Sequence, residues 1–308
     1  MIKRRGVARM EVLASGLAVL VLACMCFAFI QSSSQASRES ADGHKQVNIG
    51  RAMMIFSETE DGRFPVPGMA LRQPVSQADG TSQRIPGRGK PDWSRNTTAN
   101  LFSFMIMQSL LGVDDVVSPL EVSHLVKVIE DYDFDSYSPF GENPTMWDSA
   151  FHADPGNVTV TSNASYANQA LCGARLIKHW GSGSSRHPTS RPLLSLRGPR
   201  EGVTSGPDFL RSPTLRFMGS PDQWSSWVLF ADGHVARRDT PDIANARGEQ
   251  EDIFSGGDPA GESPWLGVFL IASQNDSTPG WDPLLPETAV ATVRPATDDS
   301  KVIPPQPE

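Results

Sequence analysis

Cysteine is scarce in this chain of 308 residues: there are three, with Cys24 and Cys26 inside one apolar run and Cys172 far downstream. Only one thiol lies outside the run, which excludes an intrachain disulfide framework there and leaves packing or neighbouring subunits to hold the fold. Cys172 itself reads as a buried apolar thiol. A phosphate-cradling glycine loop and a Cys-x-x-Cys pair are also missing. Gly181-Ser182-Gly183-Ser184-Ser185 lacks the Gly-x-Ser-x-Gly order of a nucleophile elbow and reads as a loop. The six histidines stand in unrelated contexts, and His152-Ala153-Asp154 is too short to signify a metal site. No catalytic constellation assembles, so an enzyme is not expected. Basic residues are few as well. Beyond residue 30 the chain carries 23 Lys+Arg against 34 Asp+Glu, a net of -11. That balance argues against nucleic acid or an anionic lipid surface as partner and is compatible with divalent cations.

What is plentiful is concentrated at the start. Lys3-Arg4-Arg5-Gly6 precedes Val7-Ala8-Arg9-Met10, a single acid at Glu11, and an uncharged apolar run from Val12 to Ile30. As a helix those nineteen residues would cover roughly 28 Å at about 1.5 Å per residue, close to one hydrocarbon core. The basic residues flank its N-terminal side, and Gln31-Ser32-Ser33-Ser34-Gln35 on the other side is uncharged. This bias predicts a single-pass protein of the inner (cytoplasmic) membrane with a cytoplasmic N-terminus and an exported remainder. A cleaved signal, a lipoprotein signal at Cys24 and a plain signal anchor compete with this reading, but none of them accounts for Gly6 and Glu11. A carboxylate at the edge of an apolar helix needs a partner.

The spacing of Gly6, Val7 and Glu11 resembles the N-terminus of type IV prepilins and type II secretion pseudopilins. In that family a peptidase cuts after a glycine that follows basic residues, the new N-terminus is methylated, and the fifth mature residue is a glutamate. The resemblance implies processing between Gly6 and Val7 and a role for Glu11 in registering the helix against neighbouring subunits. Its expected partners are a prepilin peptidase, other copies or other pseudopilins, and the membrane, with no nucleic acid. Val7 and Arg9 depart from the family's usual residues.

Downstream, Ile49, Ala52, Met53 and Phe56 fall at helical spacing and predict a helix from about Ser37 to Ser57, weakened by Gly43 and Gly50 and ended by Asp61-Gly62 and Pro65. Residues 65 to 96 read as loop. A second helix is expected from Ala99 to Leu111, capped by Thr97 or Thr98. Ser118-Pro119-Leu120-Glu121 has capping-box spacing and predicts a short helix to about Glu130, although Val122, Val126, Val128 and Ile129 also suit a strand. Strand-like runs follow at Val158 to Thr161, Pro192 to Leu196, Thr214 to Met218 and Trp227 to Arg237, with a last apolar element at Trp265 to Ala272. In the fourth run Asp232-Gly233 predicts a hairpin with a type I′ turn. Trp224 and Trp227 read as core anchors. With 26 Gly and 25 Pro, one modest core with long loops is expected.

Phe230-Ala231-Asp232-Gly233-His234-Val235 is similar to the Asp-Gly hairpin signature of the DUF1559 family, a prepilin-processing-associated group. Asn163 to Asn168 and Leu196 to Arg200 also resemble its segments, whereas Asp222 stands where that family commonly has a histidine. Together the resemblances imply an α+β, pilin-like fold: a long N-terminal helix, transmembrane in its first half, packed on a small antiparallel sheet with long loops. The expected layout is a leader at 1–6, a transmembrane helix at 7–30, a helical stalk at 31–57, an exported head at 58–272 and a disordered Pro-rich tail at 273–308.

One ion site presents itself. Asp131, Asp133, Asp135 and Glu142 match positions 1, 3, 5 and 12 of an EF-hand calcium loop, yet Ser136 replaces the turn glycine and Pro139 occupies position 9. Tyr132, Phe134 and Tyr137 alternate with the acids, so a half-buried strand with a solvated acidic face competes with calcium binding. No other cofactor is expected.

Overall fold

The computed structural model describes residues 4–77, 80–140, 143–157, 159–176, 180, 191–199, 202–218, 220–244, 250–254 and 265–270. The expected tail at 273–308 lies outside them. Two compact units divide the chain, residues 1–41 and residues 42–308.

Helix α1, Arg4–Thr59, contains no proline and runs through both units. In the first unit its described apolar side chains are exposed, among them Leu17, Val19, Leu20, Leu22 and Met25 at 60 to 67%. Gln35 Nε2 donates to Glu39 Oε1 at 3.1 Å, a contact between successive turns.

The pilin-like fold with a helix transmembrane in its first half is overturned. Among the described residues there are five α-helices, and none is long and apolar enough to cross a membrane. The apolar side chains described there span Ala14 to Cys26.

In the second unit, Asp42, Gln46, Ile49 and Met53 form a buried stripe at helical spacing. Gly50 is required by close approach, because a Cβ there would stand 2.6 Å from Leu229 Cδ1. Beyond Thr59 the Gly62 N–H reaches back to Ser57 O at 2.8 Å and the helix stops. A short α2, Pro67–Ala70, follows, then the hairpin of β1, Val75–Ser76, with β2, Ser82–Gln83. Next comes α3, Thr98–Met107, whose cap Thr97 accepts from Asn100 N as its sequence predicts. It is buried on nearly every side.

The central sheet has five strands: β3 Tyr166–Gln169, β4 Pro192–Leu196, β5 Ser226–Phe230, β6 Val235–Arg238 and β9 Leu266–Gly267. Their order is β6-β5-β4-β3-β9, with every neighbouring pair antiparallel. Alternation sends Tyr166 and Leu229 into a core shared with Ile49, Met53, Phe102 and Met105. Ala167, Val228 and Phe230 go into another, with Trp224, Phe254 and Leu266. Strands β4 and β5, buried on both faces, read as apolar runs with little polar alternation, whereas the edge strand β6 is partly exposed. The small helices α4, Gly173–Arg175, and α5, Gly206–Arg211, and a hairpin of β7, Asp242–Ala244, with β8, Gln250–Asp252, complete the described elements.

Several local expectations are corrected. Residues 118–130 form neither helix nor strand, because Glu121 Oε1 accepts from Val122 N, Ser123 N and Arg197 and is not free to box a helix start. The Thr214 to Met218 run is largely a 3-10 turn, Pro213–Arg216, opened by Ser212. Of residues 158–161 those described form no strand. Around Asp232-Gly233 the hairpin forms, but only Gly233 has positive φ, at 86°. Phe230 N donates to His234 O at 2.9 Å, so the loop has three residues, with the glycine in the left-handed position, and is not type I′.

Candidate functional site

Gly6, Val7 and Glu11 all lie within α1. Their side chains fall outside what the structure describes. The exposed apolar stretch that follows them is the feature the structure adds. Leu17, Leu20 and Val21 recur at helical neighbour spacing, so among the described residues α1 presents an exposed apolar strip.

Among the described residues the calcium candidate does not assemble. Asp133 Oδ1 accepts from Asp135 N to cap a 3-10 turn, Phe134–Ser136, and Asp133 N donates to Asp148 Oδ2. The expected strand is therefore a turn. Glu142 lies outside the described residues, and among those described no cluster of His, Cys, Asp and Glu could hold a metal ion. Asp232 and Gly233 shape the hairpin loop: Asp232 Oδ1 accepts from His234 N at 3.2 Å and meets His234 Nδ1 at 2.5 Å. His234 stacks on Phe230 at 4.4 Å. Asp222, close to an exposed turn, accepts from Ser220 Oγ. Cys172 is buried, as its sequence context predicts.

Two buried carboxylates organise the interior of the second unit. Asp42 is fully buried and accepts from Ser118 Oγ at 2.5 Å and Tyr166 Oη at 2.8 Å through Oδ1, and from Gln46 Nε2 at 3.2 Å through Oδ2. Burial raises its pKa, against the pull of those hydrogen bonds. The Tyr166 phenol is driven well above its ordinary value by burial and then by the Asp42 charge. Glu121, by contrast, pairs with the buried Arg197 at 2.9 Å. Burial pushes this carboxyl up, but the Arg197 charge and hydrogen bonds from Arg197, Ser123 and Ser165 bring it below its ordinary value on balance. Arg197 also donates to Ser165 O, so both carboxylates are tied to the Ser165-Tyr166 segment. The Asp42 signal was available in the sequence, since Asp42 continues the Gln46, Ile49, Met53 stripe backward by one turn.

A cavity of about 510 Å³ opens beside the end of α1. Two edge-to-face aromatic pairs line it, Phe56 with Phe104 at 5.7 Å and Phe64 with Trp180 at 6.0 Å. Trp93, Met69, Arg63 and Arg72 contribute further walls. Sequence reasoning placed Phe56 and Phe104 on helices and left the other wall residues outside any predicted element. The one available signal was tryptophan and arginine together in stretches too irregular for a strand or helix.

Comparison of the chain with protein-family models, with curated proteins and with solved structures finds no match to any of them.

Proposed function

We propose that this chain is a structural, pseudopilin-like subunit of the cell envelope, cut after Gly6 by a prepilin peptidase and associating through its N-terminal helix with other copies or other pseudopilins. It serves in a type II secretion or pilus-like assembly and carries out no reaction. The observation that carries this reading is the exposed apolar strip of α1 directly after Gly6, Val7 and Glu11. A strip of that kind is stabilised when a neighbouring helix covers it, at about 25 cal/mol per Å² of apolar surface removed from water. Glu11 supplies register, its charge being tolerated where the free N-terminal ammonium of a neighbour meets it. The role requires no cofactor, and calcium at Asp131, Asp133 and Asp135 has no part in it.

Intact-mass and N-terminal analysis of the protein from its native source tests the reading. A chain beginning at Val7 is expected. One that keeps Met1 in cells with an active prepilin peptidase overturns it. A second reading, an envelope binding module with an acidic exported domain that does not polymerise, is favoured by the aromatic cavity.

A further inference from the structure

The most exposed large apolar side chain among the described residues lies outside α1. Phe140 is 72% exposed, more than any residue of the α1 strip, and Phe134 and Tyr137 near it in sequence are exposed as well. Phe140 stands on a loop pinned at its base, where Ser138 N donates to Thr145 O at 3.0 Å and Thr145 N to Ser138 O at 2.8 Å. Upstream, Phe134 rests on Tyr132 at 4.7 Å, and Tyr132 Oη donates to Ser103 O of α3 at 2.7 Å. The surrounding sequence carries one sign of charge: residues 128–151 hold six acids and no Lys, Arg or His.

The cavity beside the end of α1 has the opposite character. Its volume of about 510 Å³ is walled by the rings of Phe56, Phe64, Phe104 and Trp93, and Phe140 is not among the residues that line it. Arg63 and Arg72 line it against one acid, Glu60, among the described lining residues. Pro86 and Gly87 close another side, and the segment that carries them, residues 82–91, holds Arg84, Arg88 and Lys90 and no acid. Of these, Arg88 and Lys90 are exposed.

Knob and hole are therefore opposite in charge, and every copy carries both. Binding energy between proteins concentrates on aromatic anchors seated in pockets, and opposite charges around them set register and partner. A knob and a hole at different places on one surface let each copy engage one neighbour with the first and another neighbour with the second, a contact that repeats along an array.

We propose that one copy inserts Phe140 into the aromatic cavity of a second copy, its acidic loop lying over Arg63 and the Arg88 to Lys90 segment. This rests on the reading that copies associate, and it names the contact between their second units. Held by one ring and screened charges, the contact gains from pairing of α1, which raises the local concentration of its two halves.

The test uses full-length chains in their native cells, in a Cys24→Ser/Cys26→Ser background. One tagged copy carries Ser138→Cys at the exposed base of the loop, and a differently tagged copy carries Gln108→Cys on the cavity wall, so that Phe140 and the rings stay in place. A short bismaleimide should join unlike tags about fivefold more than like tags, and Phe140→Ser in the first copy or Arg63→Glu in the second should lower that product about fivefold. Thermal melts check that the variants fold, and should Arg63→Glu fail to fold, Arg88→Glu takes its place. The link through Cys24 and Cys26 of the parent chain is measured alongside. If that link forms and unlike tags do not join, the Phe140 contact is overturned while association through α1 stands; if neither forms, both fall. Like tags joining as readily as unlike ones, or a product indifferent to Phe140→Ser, would also overturn the proposal.

Discussion

Two stretches of one helix solve opposite problems. Residues 42–59 of α1 bury a stripe that includes the Asp42 carboxylate, to which Ser118 Oγ, Tyr166 Oη and Gln46 Nε2 donate. Residues 14–26 leave Leu17, Leu20 and Leu22 in the open. The same helical period thus carries a polar group where the chain covers itself and bare apolar groups where it does not. The lesson is that burial, more than hydrophobicity, separates the two: the inner stretch is matched to its own sheet, and the described apolar side chains of the outer one are exposed.

The largest expected effect comes from breaking the inner match. Asp42→Ala strands the Ser118 and Tyr166 hydroxyls and a Gln46 amide in the interior, and should cost about 3 kcal/mol or more in urea unfolding. Asp42→Asn should cost about 1 kcal/mol, because Oδ1 still accepts both hydroxyls and its new N–H can meet Gln46 Oε1 after an amide rotation. A variant with Asn as damaging as Ala would show that the charge, and not the hydrogen-bond pattern, is what the site requires.

Next in size is Gly50→Ala. Alanine gains about 1 kcal/mol of helix propensity, but its Cβ would press Leu229 in a full core, where overpacking costs about 1–3 kcal/mol. A net loss is expected in the same urea assay. Stabilisation would mean that Leu229 shifts freely.

The two carboxylates give opposite pH slopes. The raised folded pKa of Asp42 makes its contribution full at low pH and lost as pH rises through that value. Glu121, lowered in the fold, contributes above its unfolded pKa, and that contribution is lost as pH falls through the folded one. Unfolding midpoints from about pH 3 to pH 8 should therefore flatten on the alkaline side in Asp42→Asn and on the acid side in Glu121→Gln. Parallel curves for both variants would contradict these assignments. Smallest of all is the effect of Leu20→Glu on folding, within about 0.5 kcal/mol, since the side chain is 62% exposed. Its consequence should fall on association between copies instead.

Sequence patterning revealed those elements whose side chains repeat. The α1 stripe at Ile49, Ala52 and Met53, the Thr97 cap, β4 and the β5–β6 hairpin are all local signals, and all are present. The strand β3 was not legible, because Tyr166-Ala167-Asn168-Gln169 puts polar groups inside a sheet covered on both faces, where Asn168 is bonded to Thr98. Residues 118–130 misled for a similar reason: Glu121 has the spacing of a cap, but its partner, Arg197, is 76 residues away. The cavity was invisible because its walls come from α1, α2, α3 and several separate loops, which no short pattern links.

Cys24 and Cys26 are native probes of the central claim, both exposed on α1, with the buried Cys172 as an internal control. They stand on different sides of the helix, so a neighbouring helix covering the strip brings at least one pair of thiols within reach. Treatment of intact cells with a short bismaleimide should give a ladder of linked copies that disappears in Cys24→Ser/Cys26→Ser and fades in Leu20→Glu. Recovery of monomer alone from the parent protein, with both thiols modified, would contradict assembly through this helix.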